Sequence, residues 1–93
     1  MALIDKQRYE AALEDFAKAL EISPKDPRPY LGRGAANLKM GHPDEAIRDF
    51  DQAVRMAPGL PSVYFERGTA YHRVDDFARA IADYSESIRL DPK

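Results

Sequence analysis

A step of 34 residues runs along this chain and limits what it can fold into. Pro24, Pro58 and Pro92 stand 34 apart, and so do Ala12, Ala46 and Ala80. Phe16, Phe50 and Tyr84 keep the step, as do Ala19, Ala53 and Ser87, and Ile22, Met56 and Leu90. Later in the chain it also joins Pro27 to Pro61, Tyr30 to Tyr64 and Arg33-Gly34 to Arg67-Gly68. Small residues fall on small and large on large, with no insertion. That is the mark of a repeated supersecondary unit. A unit of this kind cannot bury its own apolar face, so the copies must stack on one another.

Each period reads as two helices. The first covers about 27–40 and again about 61–74. Pro27 and Pro61 suit the first helical turn, where a missing N–H is harmless. Asp26 is placed to cap the earlier of these helices, and Gly41 to end it. The second helix covers about 44–57 and again about 77–90. His42-Pro43-Asp44-Glu45 opens one with proline and acids early, and Asp76 can cap the other. Ala46, Ile47, Phe50, Ala53, Val54 and Ala57 form one apolar stripe at helical spacing. Ala80, Ile81, Tyr84 and Ile88 repeat it, and Ala12, Leu13, Phe16, Ala19 and Leu20 make its earliest copy. Small residues such as Gly34, Ala46, Ala53, Gly68 and Ala80 let helix backbones approach. Tyr30, Phe50, Tyr64, Phe77 and Tyr84 fill the spaces that remain.

Composition narrows the function. The chain has 93 residues, no cysteine, no tryptophan and a formal net charge of −2. Without cysteine there is no disulfide framework, thiolate nucleophile or Cys-ligated metal. Near-neutral charge argues against nucleic acid as a partner. No stretch approaches the roughly 20 apolar residues of a membrane span. The start, Met1-Ala2-Leu3-Ile4-Asp5-Lys6, lacks the pattern of a signal peptide. That leaves a cytoplasmic location as the default expectation.

Tyr30, Gly34, Ala46, Phe50, Ala53 and Pro58, then Tyr64, Gly68, Tyr71, Ala80, Tyr84 and Pro92, resemble the tetratricopeptide repeat, whose period is 34 residues. Tyr30 and Tyr64 stand where that family's pattern has tryptophan, Asn37 replaces a tyrosine, and Ser87 an alanine. The resemblance covers essentially the whole chain. It implies an all-α, right-handed α-solenoid of antiparallel helix pairs, with about two and a half repeats in five helices. The expected division of this single domain is a partial first repeat over 1–26, a second over 27–60 and a third over 61–93. Gln7-Arg8 sits where the second repeat has Gly41-His42, so residues from about 3 to 22 should run as one helix. The ends look unfinished, as in a segment of a longer array. Their apolar faces should be partly exposed, and pairing between copies would give a homo-oligomer.

The family's first helices line a concave groove, and its function is to bind protein or peptide partners. Register places Arg28, Leu31, Ala35, Leu38, Lys39, Ser62, Phe65, Glu66, Thr69, His72 and Arg73 on that side. The first helices sum to +4 and the second helices are acidic, so a peptide with apolar anchors and acidic flanks would suit Leu31 and Phe65 beside Arg28, Lys39 and Arg73. Arg33 and Arg67 recur in register and are expected to pair with Asp49 and Asp83 instead. Some family members clamp the C-terminal carboxylates of chaperones with lysine and asparagine on one first helix, asparagine on the next, and lysine and arginine on the third. Here the first of those helices is absent, Gly32 replaces the middle asparagine, and Ser62 and Glu66 replace the last pair. A frame shifted by one repeat puts Leu31, Ala35 and Glu66 at the first three sites. Neither frame supplies the clamp, so a chaperone tail is not the expected ligand.

No catalytic constellation emerges. His42 and His72 lie on different repeats beside acids that start helices, short of the three or four converging ligands a metal needs. Asp44-Glu45 and Asp75-Asp76 read as helix starts. Gly32 and Gly34 fall inside a helix and reflect close packing rather than a phosphate loop. The serines have no histidine partner at interpretable spacing. The expectation is a non-enzymatic interaction module without cofactors, with self-assembly through the open ends as the alternative.

Overall fold

A computed structural model describes residues 2–92, and the side chains of residues 8–92. It contains five helices: α1 (Ala2–Ile22), α2 (Pro27–Lys39), α3 (Pro43–Met56), α4 (Pro61–Arg73) and α5 (Phe77–Leu90). Each helix packs on the next in the chain, and α2 also touches α4. The result is an all-α solenoid with principal extents of 34 × 30 × 22 Å. The 21 residues of α1 are continuous across Gln7-Arg8, as the missing turn glycine implied.

The turns inside the two complete helix pairs share one geometry. Gly41 has φ +84°, and its N–H donates to the Leu38 carbonyl while that of His42 donates to Asn37. This is the paired closure in which a left-handed residue ends a helix. Thirty-four residues on, Asp75 takes φ +63°, its N–H donating to His72 and that of Asp76 to Tyr71. Asp75 is therefore a turn residue and not half of a helix-start pair; Asp76 alone caps, accepting the Arg79 N–H. Asp26 caps α2 by accepting the Arg28 N–H at 3.0 Å.

The core forms where α2, α3 and α4 meet. Leu38, Ala46, Phe50 and Ala70 cluster there, with Leu31 and Ile47 packed against them. Phe50 and Val63 are the largest side chains removed completely from solvent. Burying a phenylalanine to this degree stabilises by roughly 1.5–3 kcal/mol. Leu38, expected on the groove side, lies inside this cluster at 5% exposure. It sits one helical turn beyond Gly34, and both share the face of α2 that receives Phe50. On α5 the stripe is incomplete: Ala80 is buried, but Ile81 and Ile88 are each 63% exposed. Their counterparts one period earlier, Ile47 and Val54, are half-buried. An exposed apolar face at the last repeat is thus present; at the other end, the side chains of Leu3 and Ile4 lie outside the described residues.

Candidate functional site

The expected groove residues separate into three groups. Arg28 belongs to the start of α2. Its guanidinium closes on Asp26, with Nη2 2.8 Å from Oδ2, and that hydrogen bond holds the Asp26 carboxyl below its usual range. The Arg28 charge is exposed but already paired. Leu31 and Ala35 are half-buried on the same side of α2, by the 3.6-residue turn.

A second group gathers at the C-terminal ends of α2 and α4. Arg73 reaches from α4 to α2, where Nη1 donates to the Leu38 carbonyl at 3.2 Å. Lys39 is the next residue, is exposed, and makes no ion pair among the described residues. The Arg73 guanidinium thus joins Lys39, in the last turn of α2, at the end of a helix that carries partial negative charge. His72, beside Arg73, sets its ring edge-on to Phe77 at 5.4 Å.

The third group faces α5. Phe65 is 53% exposed and packs on Tyr84 with ring centres 5.5 Å apart. Thr69 accepts the Tyr84 hydroxyl at 3.2 Å and donates its own to the Phe65 carbonyl. Ser62, Phe65 and Glu66 line a cleft of about 520 Å³ together with Ser87 and Ile88. Phe65 and Glu66 thus border a cleft between α4 and α5.

Arg33 and Arg67 turn toward the second helices, as their spacing suggested. Arg33 donates to both oxygens of Asp49 at 3.0 and 3.1 Å. Arg67 holds Asp83 in the same way at 2.8 and 2.9 Å. Asp49 and Asp83 are each 6% exposed; buried carboxylates persist only when paired and hydrogen-bonded. Arg67 also reaches back to Asp51 on α3 at 3.1 Å, a contact between periods that register did not reveal. Asp83 first, then Asp51, raise the Arg67 pKa far above the ordinary guanidinium value, against the opposing effect of burial. Two of the cations counted in the first-helix sum are therefore committed between helices. Of the cations expected on the groove side, Lys39 and Arg73 make no ion pair among the described residues.

Comparison with known proteins agrees with this architecture. A model described as TPR repeat matches residues 2–41, and one described as tetratricopeptide repeat matches residues 31–93. The chain belongs to the tetratricopeptide-repeat family. No curated protein matches it in sequence. Among solved structures it is similar to the first TPR of Spaghetti (RPAP3) bound to the HSP90 peptide SRMEEVD, with TM-score 0.90, 23% identity, and 99% of this chain and 80% of that one covered. The second TPR of Spaghetti, bound to the same peptide, gives TM-score 0.87 at 23% identity over 97% of this chain and 92% of that one. MamA gives TM-score 0.86 at 20% identity, over 91% of this chain and 50% of that one. At these identities the likeness is one of fold. As a tetratricopeptide-repeat protein the chain is a protein–protein interaction module. Among the described residues no helix is long and apolar enough to cross a membrane.

Proposed function

We propose that this module binds an extended peptide along α2 and α4, with an acidic residue of the peptide against Lys39 and Arg73. The observation behind this reading is the Arg73 contact to the Leu38 carbonyl, which carries one exposed cation from α4 to the end of α2 where exposed Lys39 stands. Leu31 and Ala35 supply the adjoining apolar surface. Arg28 contributes less than its sequence position suggests, because Asp26 already neutralises it. The structural relatives bound to SRMEEVD support an acidic peptide as the ligand class. Gly32, Ser62 and Glu66, standing at three of the clamp positions, argue for a sequence other than a chaperone tail. The test is calorimetric titration with a panel of acidic peptides that includes SRMEEVD. Lys39→Glu with Arg73→Glu should weaken binding at least about tenfold, as loss of charge-assisted contacts does, with circular dichroism showing that the variant, which loses the Arg73 bond to Leu38, remains folded at the titration temperature. Equal binding by the double variant would refute this placement.

A second reading, self-assembly, rests on a separate observation. Phe65, Ile81 and Ile88 are exposed, whereas their counterparts Leu31, Ile47 and Val54 are half-buried beneath neighbouring helices. An unpartnered face of this kind favours association. If it is used, Ile81→Lys with Ile88→Lys should convert an oligomer to monomer in sedimentation; a wild type that is monomeric at high concentration would exclude it.

A further inference from the structure

The side of α2 away from Leu31 and Ala35 carries a feature that the groove reading does not use. By the 3.6-residue turn, Arg33 and Asn37 lie roughly opposite those groove residues. A notch of about 450 Å³ opens there, lined by Leu13, Arg33, Asn37, Glu45, Arg48 and Asp49. Its floor is made by buried Asn37, whose amide donates to Asp49 at 3.3 Å.

The next period shows what this geometry accommodates. Thirty-four residues beyond Asn37 stands Tyr71. The guanidinium carbons of Arg67 and Arg79 lie 5.9 and 5.8 Å from the centre of its ring. A phenol ring therefore occupies the position that Asn37, being short, leaves open between α1 and α3. The surroundings keep one of the two flanking cations and exchange the other for a carboxylate. Arg33 matches Arg67, Glu45 replaces Arg79, and Arg48 replaces Ala82. The notch keeps two guanidinium groups, one of them the exposed Arg48, which makes no ion pair among the described residues. It gains a carboxylate on Glu45, whose side chain is 58% exposed and only 3.8 Å from His42 at its nearest. Leu13 supplies an apolar wall from α1.

We propose that this notch receives a tyrosine side chain presented by a partner protein. The ring lies against Leu13 and beside the Arg33 guanidinium, which stands as Arg67 does to Tyr71, while Arg48 adds a second cation from the rim. The phenol hydroxyl donates to the Glu45 carboxylate. An anion is disfavoured, because Asp49 already neutralises Arg33 and Glu45 repels negative charge.

The test titrates the folded 93-residue chain with N-acetyltyrosinamide and follows backbone amide shifts. Saturable shifts are expected at Leu13, Asn37, Glu45 and Arg48, with Kd on the order of 1 mM for so small a ligand. Asn37→Tyr should fill the notch from within and abolish them. Arg48→Ala, a change on the exposed rim, should weaken binding about two- to fivefold through loss of one cation–π contact. Circular dichroism establishes that each variant is folded, and if Asn37→Tyr does not fold, Arg48→Ala decides. Shifts that fail to saturate, unchanged binding by folded Asn37→Tyr, or unchanged binding by Arg48→Ala would overturn the proposal. So would tighter binding of the O-phosphorylated compound, which would make the notch an anion site.

Discussion

Gly34 and Gly68 hold the same place in successive periods, yet alanine at the two positions should have different effects. At Gly34 an added Cβ would lie 2.6 Å from Cε1 and 2.8 Å from Cδ1 of Phe50. Phe50 is 0% exposed and enclosed with Leu38, Ala46 and Ala70, so the ring has nowhere to go. Overpacking of this kind costs about 1–3 kcal/mol. Replacing a mid-helix glycine by alanine returns roughly 0.8–1 kcal/mol. The net expectation for Gly34→Ala is a loss of up to about 2 kcal/mol, toward the upper end because the Phe50 ring is fully enclosed. At Gly68 the added Cβ meets Tyr84 at 3.0 Å and the Ala80 carbonyl oxygen at 3.2 Å. Tyr84 is only half-buried, so its ring can tilt by the few tenths of an ångström required, while the backbone carbonyl of Ala80 leaves a smaller residual strain. Strain and helix propensity then nearly cancel, leaving Gly68→Ala within about 0.5 kcal/mol of wild type. For a domain of this size 1 kcal/mol moves the melting temperature by about 4–8 °C. Thermal circular dichroism should therefore show Gly34→Ala melting lower by up to about 15 °C and Gly68→Ala shifted by about 4 °C at most. Urea titration should confirm the order with m unchanged. In a Phe50→Leu background the Gly34→Ala penalty should shrink, because the clashing ring is gone. Equal melting of the two alanine variants, or a penalty that survives Phe50→Leu, would refute the reasoning.

Arg67→Ala should destabilise more than Arg33→Ala, because Arg67 holds buried Asp83 and also Asp51 whereas Arg33 holds Asp49 alone. Stranding a largely buried carboxylate costs on the order of 2–3 kcal/mol once partial solvent access is allowed for, and chemical denaturation of both variants checks the order. Asp75→Gly should stabilise by up to about 1 kcal/mol, since the residue is left-handed at φ +63° and glycine accepts that conformation freely; the converse Gly41→Asp should destabilise, and melting curves read both. Burial, aided by the nearby Asp51, raises the Tyr71 pKa above its ordinary value of 10.0. The unfolded chain then loses this proton first, so stability is complete below about pH 10 and falls as pH rises beyond it. Tyr71→Phe should flatten that part of the pH–stability curve, and an equally steep fall in the variant would contradict the assignment.

How much of this was legible in the sequence follows from what repeats and what does not. Helix pairing, the Phe50 and Tyr84 positions and the Arg33–Asp49 and Arg67–Asp83 pairs all recur at the 34-residue step, so each copy corroborates the other. Asp51 escaped because its counterpart is Ala17, and a contact made once leaves no periodic trace. Asp75 was misassigned because adjacent acids suit a helix start; only the φ angle shared with Gly41 shows a turn residue. Leu38 was misplaced because a residue at the end of a first helix can face the groove or the second helix, and the choice depends on where α4 crosses. Phe65 and Glu66 line the end cleft because no helix follows α5 among the described residues, so the last pair is covered differently from its predecessor. Repetition thus made the scaffold readable and hid what differs between periods. The differences sit at the departures: Asn37 against Tyr71 opens a notch, and Gly32 against Glu66 separates a packing contact with Phe16 from an acidic rim on the end cleft. A residue that breaks the period while keeping its helix, and whose change no packing contact like that of Gly32 explains, is in a repeat protein the first place to seek a function.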